Sequence, residues 1–127
     1  MQLFFHNVGL DGATRNFPKT VFSSIPIAVA EQSIPLNAPY RDELIKQLYY
    51  QFPTGSFNCW GALEGAKSTI KELNVGDAML LVKTIGGEHG EIPILGIVKV
   101  FFKEQMRELS KVLWGELGYP YIYFFNI

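Results

Sequence analysis

Cysteine is nearly missing from this chain. Cys59 stands alone, so no disulfide can close within the chain, and a reducing, cytoplasmic setting is expected. Histidine is almost as scarce, with only His6 and His89. One thiol and two imidazoles give no zinc-ligand spacing, and neither a metal nor any other cofactor is expected. Charge is also thin: charged residues make up 18% of the chain and the net charge is −1. That balance excludes a grip on nucleic acid through overall basicity, so such a role would have to rest on a local patch or a base pocket. No apolar run approaches the ~20 residues of a membrane-spanning helix, and no membrane partner is expected. The opening Met1-Gln2-Leu3-Phe4-Phe5-His6 lacks a basic region and reads as a strand, not a signal peptide.

What the chain does have is apolar and aromatic bulk. Hydrophobic residues are 48% of 127, enough for one domain spanning 1–127 with its own core. Leu3 to Val8 reads as a strand closed by the turn signal Gly9-Leu10-Asp11-Gly12. Residues 13–39, broken by Pro18, Pro26, Pro35 and Pro39, read as a long irregular loop with short extended pieces at Val21-Phe22 and Ile25 to Ala30. Tyr40, Leu44, Ile45, Leu48, Tyr49 and Phe52 share one face of a helix ended by Pro53 and Gly55. A short helix is expected over Ala66 to Leu73. Strands follow at Ala78 to Thr84, at Ile92 to Phe102 after a glycine-rich hairpin, and at Tyr121 to Ile127. A helix over Lys103 to Leu113 turns Met106, Leu109 and Leu113 to the core. The order predicts an α+β fold, a small mixed β-barrel of five or six strands with helices packed around it. The aromatic end suggests a domain cut from a longer protein.

Few residues suggest catalysis. Cys59 and His6 would make a nucleophile pair only if folding brought them into hydrogen-bond reach, and a buried structural thiol is the plainer reading. His89 reads as a solvated loop residue, and Gly86-Gly87 lacks the Lys-Ser/Thr and helix start of a phosphate loop. Binding is better represented. Trp60 in Phe57-Asn58-Cys59-Trp60-Gly61 and Trp114 in Leu113-Trp114-Gly115 each precede a glycine at an element boundary. Each is either a stacking surface for a flat ligand or a core plug, and the intervening strands can bring them together. Lys103, Arg107 and Lys111, at i, i+4, i+8, are either a phosphate-tracking stripe or a salt-bridged face interleaved with Glu104 and Glu108.

The ordered series of Phe57-Asn58-Cys59-Trp60-Gly61, Leu73-Asn74-Val75-Gly76-Asp77 entering an apolar strand, the Gly-rich hairpin, Gly96-Ile97-Val98-Lys99-Val100, Leu113-Trp114-Gly115 and Tyr119-Pro120-Tyr121-Ile122-Tyr123-Phe124 resembles the EVE-like and YTH-like branch of the PUA superfamily. It is most similar to the N-terminal DNA-reading domains of McrB-type modification-dependent restriction enzymes. The resemblance covers residues 55–127 and, weakly, Leu3 to Gly9. It leaves 11–53 as a family-specific insertion.

The resemblance implies a non-catalytic reader of modified, methylated double-stranded DNA that flips a base into an aromatic cage. The parent would be a nucleotide-hydrolysing restriction protein, oligomeric through another domain. Extrusion of a base costs a few kcal/mol and stacking returns ~1–3 kcal/mol. By position, Trp60 would be the first wall. Asn58, Cys59, Gly61, His6 and Asn7 would face the base edge. Trp114, or Phe17, Phe22 or Tyr40 of the insertion, would be the second wall. The alternatives are a YTH-type modified-RNA reader, an ASCH-like enzyme on RNA or nucleosides, and a protein-interaction module.

Overall fold

The structure is a computed structural model that describes residues 2–9, 16–62, 72–85, 88–89, 94–115 and 118–126, with the backbone alone for 5–9, 82–85, 88–89 and 94. It is a small α+β fold built on one mixed sheet. In chain order the elements are β1 (Leu3–Gly9), β2 (Ile25–Pro26), α1 (Ile27–Ser33), α2 (Arg41–Gln51), β3 (Ser56–Ala62), β4 (Ala78–Ile85), β5 (Glu88–His89), β6 (Ile94–Val100), α3 (Arg107–Trp114) and β7 (Tyr121–Asn126). A helical turn also covers 16–20. The strands run β1-β4-β6-β7-β3-β2, with β5 paired to β4 as a hairpin. β1 pairs with β4 in parallel and the other pairs are antiparallel. The expected barrel is not found among the described residues: β1 and β2 end the path and do not pair with each other. The expected helix over 66–73 lies almost wholly outside the described residues.

Beyond the late start of α3 and the short strand β5 that takes in His89, expected in a loop, two elements near the tryptophans were not expected from the sequence. The irregular region contains α1. Pro26, read as a breaker, holds the N-cap position at φ −61°, where its fixed φ suits the entry and its missing N–H is not needed. Ile27, Ala30 and Ile34 then form one buried face, and Pro35 prevents continuation. The second departure is β3. Ser56–Ala62, given no element in the sequence reading, is a strand between β7 and β2, with Trp60 opposite Tyr123 and Cys59 opposite Phe124.

The helix α2 keeps the centre of its expected apolar face but not all of it: Tyr49 is exposed, with its hydroxyl donating to the Glu31 carboxylate. Leu44 and Leu48 are fully buried, while Asp42 and Glu43 sit in the first turn, where the helix dipole favours negative charge. At the head of β4, the Asp77 carboxylate accepts the backbone N–H of Gln2 at 2.9 Å and that of Asn74 at 2.9 Å. These two bonds fix where β1 begins pairing and hold the Asn74–Asp77 turn. They favour the ionised form and lower the Asp77 pKa. Because the folded pKa is depressed, the stabilisation is present above the ordinary carboxylate value and is lost as pH falls through the depressed one. Asp77→Asn is therefore expected to flatten the acid limb of a thermal-stability profile below about pH 4. An unchanged limb would show that these bonds do not couple to folding.

Candidate functional site

The structure brings the two tryptophans together. Their ring centroids lie 5.9 Å apart at 68°, edge to face. Trp60 projects from β3 and Trp114 from the last turn of α3. Tyr119, in the loop before β7, meets Trp114 at 5.9 Å and 77°. The Tyr119 N–H donates to the Ser110 hydroxyl at 3.3 Å, which ties that loop back onto α3. On the other side of Trp60 lies Phe17, 4.8 Å away at 69°, and beyond it Phe22, 5.7 Å from Phe17 at 80°. Phe17 and Phe22, two of the insertion residues considered for a second wall, are thus part of the same aromatic series. Tyr40 has no ring contact with it among the described residues.

Asn16, Trp60, Gly61, Trp114 and Tyr119 line a narrow crevice with no room for a water molecule. Trp60 and Trp114 are each 4% exposed. A base sandwiched between two rings needs faces about 7 Å apart, twice a van der Waals contact of roughly 3.5 Å. Here every ring is turned edge-on to its neighbour, which fills that gap. Trp60 therefore packs in the core in this conformation and is not an open cage wall.

Gly61 shapes the crevice by close approach. A Cβ on it would sit 2.7 Å from the Tyr119 carbonyl oxygen and 2.8 Å from the Trp114 ring. Gly115 serves a different purpose. At φ 79° it is the left-handed C-cap of α3, and its N–H donates to the Lys111 carbonyl.

The other residues singled out from the sequence go elsewhere. The Asn58 carboxamide does not face a cavity. Its Nδ2 donates to the carbonyls of Val21 at 3.1 Å, Ser23 at 3.2 Å and Thr20 at 3.4 Å, strapping the 16–23 segment to β3. Cys59 is fully buried in β3, and burial raises its thiol pKa, so the thiolate needed for nucleophilic chemistry is suppressed. His6 and Asn7 lie on β1, opposite Leu81 and Val82 of β4. Three strands separate β1 from β3, about 19 Å along the sheet at ~4.8 Å per strand. The sheet order therefore does not place them beside Trp60.

The basic stripe is also broken. Helix α3 begins at Arg107, and Lys103 sits in a turn at φ 58° with its ammonium 3.5 Å from Asn74 Oδ1. A left-handed residue cannot continue a right-handed helix. The next residues are drawn to β7 instead, through the Gln105–Tyr121 bridge and the Met106 N–H donating to the Pro120 carbonyl. Arg107 donates to Gln105 Oε1 at 2.9 Å, and only Arg107 and Lys111 share the helix.

One residue at the site gave no signal in the sequence. Thr20 is fully buried. Its hydroxyl accepts the Trp114 indole N–H at 3.2 Å and lies within hydrogen-bond reach of the Cys59 thiol, while its carbonyl accepts from Asn58. A threonine within Pro18-Lys19-Thr20-Val21-Phe22 carries no pattern that marks such a position.

A wider, open groove of about 200 Å³ runs between α2 and the end of β6, lined in part by Glu43, Gln47, Gln51 and Lys99. None of the candidate site residues lines it, although Val75, Lys99 and Val100 of the quoted motifs do. Among the described residues no group of His, Cys, Asp and Glu is placed to hold a metal ion, and no helix is long and apolar enough to cross a membrane.

No family model, curated protein or solved structure matches this chain.

The crevice must accordingly be judged on its own geometry. Three large aromatic residues, from β3, α3 and the loop before β7, converge on a glycine, beneath a short segment held by side-chain hydrogen bonds and by the buried Phe17 and Val21.

Proposed function

We propose that the Trp60–Trp114–Tyr119 crevice is the closed form of a site for one flipped base, and that the domain reads modified DNA without catalysing a reaction. The observation that supports this most is the convergence of the two tryptophans and Tyr119 on Gly61. Flat aromatic faces next to an absent side chain suit a planar ligand, and indole faces stack on any base. Opening requires the 16–23 segment to lift and Phe17 to leave Trp60. A methyl group on the base would add about 0.8 kcal/mol by burial against the rings. In this reading the domain is the specificity module of a modification-dependent restriction system, as the resemblance to the EVE-like and YTH-like branch implies. Its proposed partner is double-stranded DNA carrying a modified base.

The test is a fluorescence polarisation panel of cytosine-methylated, adenine-methylated and unmodified DNA duplexes with matched RNAs. One methylated duplex is expected to bind in preference to its unmodified counterpart. Trp60→Leu, which keeps bulk and removes the stacking face, is expected to weaken that binding about tenfold or more. Binding confined to RNA would turn the reading to an RNA reader, and no binding by any member would reject it.

A further inference from the structure

We infer that Thr20, with the turn behind it, is an internal stand-in for the ligand's acceptor edge and competes with the ligand for the donors of the site. This rests on the base-reading proposal above. The chemistry is one-sided. Each hydrogen bond between the 16–23 segment and Asn58 or Trp114 among the described residues has the site residue as donor. Asn58 Nδ2 gives to the carbonyls of Thr20, Val21 and Ser23, and Trp114 Nε1 gives to the Thr20 hydroxyl. An indole N–H is a donor only, and the carboxamide NH₂ group cannot accept. When the segment lifts off, these donors lose their partners beside an apolar crevice. A buried donor without a partner is expensive, so the group that replaces Thr20 must bring acceptors.

The occupant is therefore a planar group with a face for the rings and an edge of carbonyl or ring-nitrogen acceptors. An apolar ring of the same size would leave Trp114 Nε1 and Asn58 Nδ2 bare, and the site discriminates against it on that ground. Thr20 thus links specificity to closure. The same donors hold the segment down in the empty domain and read the ligand when it enters. The observed affinity for a ligand is reduced by the fraction of molecules in which the segment is closed.

The test compares wild type, Thr20→Val and Thr20→Ser against the methylated duplexes of the polarisation panel. Valine keeps the shape and removes the hydroxyl, which takes the partner of the Trp114 indole N–H from the closed form and leaves the liganded form unchanged. Thr20→Val is expected to bind a methylated duplex about tenfold more tightly than wild type, the loss of one buried hydrogen bond from the closed state. Thr20→Ser retains the hydroxyl and is expected to match wild type. A second readout is the ¹⁵N-labelled Trp114 indole N–H resonance, which is expected to shift on addition of the duplex and to exchange faster with solvent in Thr20→Val.

Equal or weaker binding by a folded Thr20→Val protein overturns the inference and leaves the base-reading proposal standing. Absence of binding to every duplex and RNA by both proteins rejects the base-reading proposal itself. Should Thr20→Val not fold, Phe17→Leu loosens the same cover from its apolar side. It is expected to bind more tightly too, and unchanged affinity there counts against the stand-in role.

Discussion

Trp60→Ala is expected to lower folding stability by about 3–5 kcal/mol, the range for removing a large aromatic side chain from a packed core. The ring is 4% exposed and packs edge-on against both Phe17 and Trp114. Each such pair contributes about 0.5–1.5 kcal/mol beyond its burial, and alanine forfeits both. With total stability of small domains at roughly 5–15 kcal/mol, the loss is a large fraction of the whole. Urea unfolding followed by far-ultraviolet circular dichroism measures it, as a fall in midpoint with little change in slope. A loss under about 1 kcal/mol would mean that Trp60 is not packed as described.

The size of this effect changes how binding must be tested. Loss of binding in the alanine variant says nothing about stacking if the domain is partly unfolded. Leucine at the same position keeps much of the apolar volume while removing the flat indole ring and its N–H. It thereby separates the role of Trp60 as a core residue from its role as a stacking surface.

The legible parts of the fold were those with a strong period. Helix α2 showed its Leu44–Leu48 face plainly, and β4 and β7 are apolar runs bounded by turn signals. The strand that carries the site was the least legible. Ser56–Ala62 contains Ser, Asn, Cys and Gly, which lack strand preference, and both its faces are covered from Cys59 onward, so no alternation shows. Its identity as a strand comes from its neighbours, β7 on one side and β2 with the 16–23 segment on the other. The basic stripe failed for a related reason. The spacing of Lys103, Arg107 and Lys111 is helical on paper, but the pull of 105–106 toward the start of β7 begins the helix four residues later.

At the site, residue type was readable and partnership was not. Two Trp-Gly pairs stood out, and their meeting followed from the order of strands. That Asn58 straps the 16–23 segment in this conformation depends on contacts across 35–38 positions of chain. Thr20 joins Trp114 across 94 positions. No local pattern encodes such a pairing.

Gly61→Val is expected to cost about 3 kcal/mol, at the upper end for overpacking a filled core. The Cβ alone would lie 2.7 Å from the Tyr119 carbonyl oxygen, which is backbone and cannot rotate away, and 2.8 Å from the Trp114 ring. The loop that Ser110 ties to α3 would have to move, carrying Tyr119 out of the aromatic series. Gly115→Ala is the informative control, because the two Trp-Gly pairs need their glycines for different reasons. Among the described residues nothing lies within 4 Å of a Cβ at Gly115, but its φ is 79°. Alanine there is expected to cost only about 1 kcal/mol, through backbone strain. Crowding falls on the crevice and strain on the helix end, so the variants separate in a second measurement as well. Gly61→Val is expected to shift the near-ultraviolet dichroism of the tryptophan cluster in the folded protein, whereas Gly115→Ala leaves that band near its wild-type shape. Equal losses with equal spectra would show that Gly61 does not set the approach of Tyr119 and Trp114.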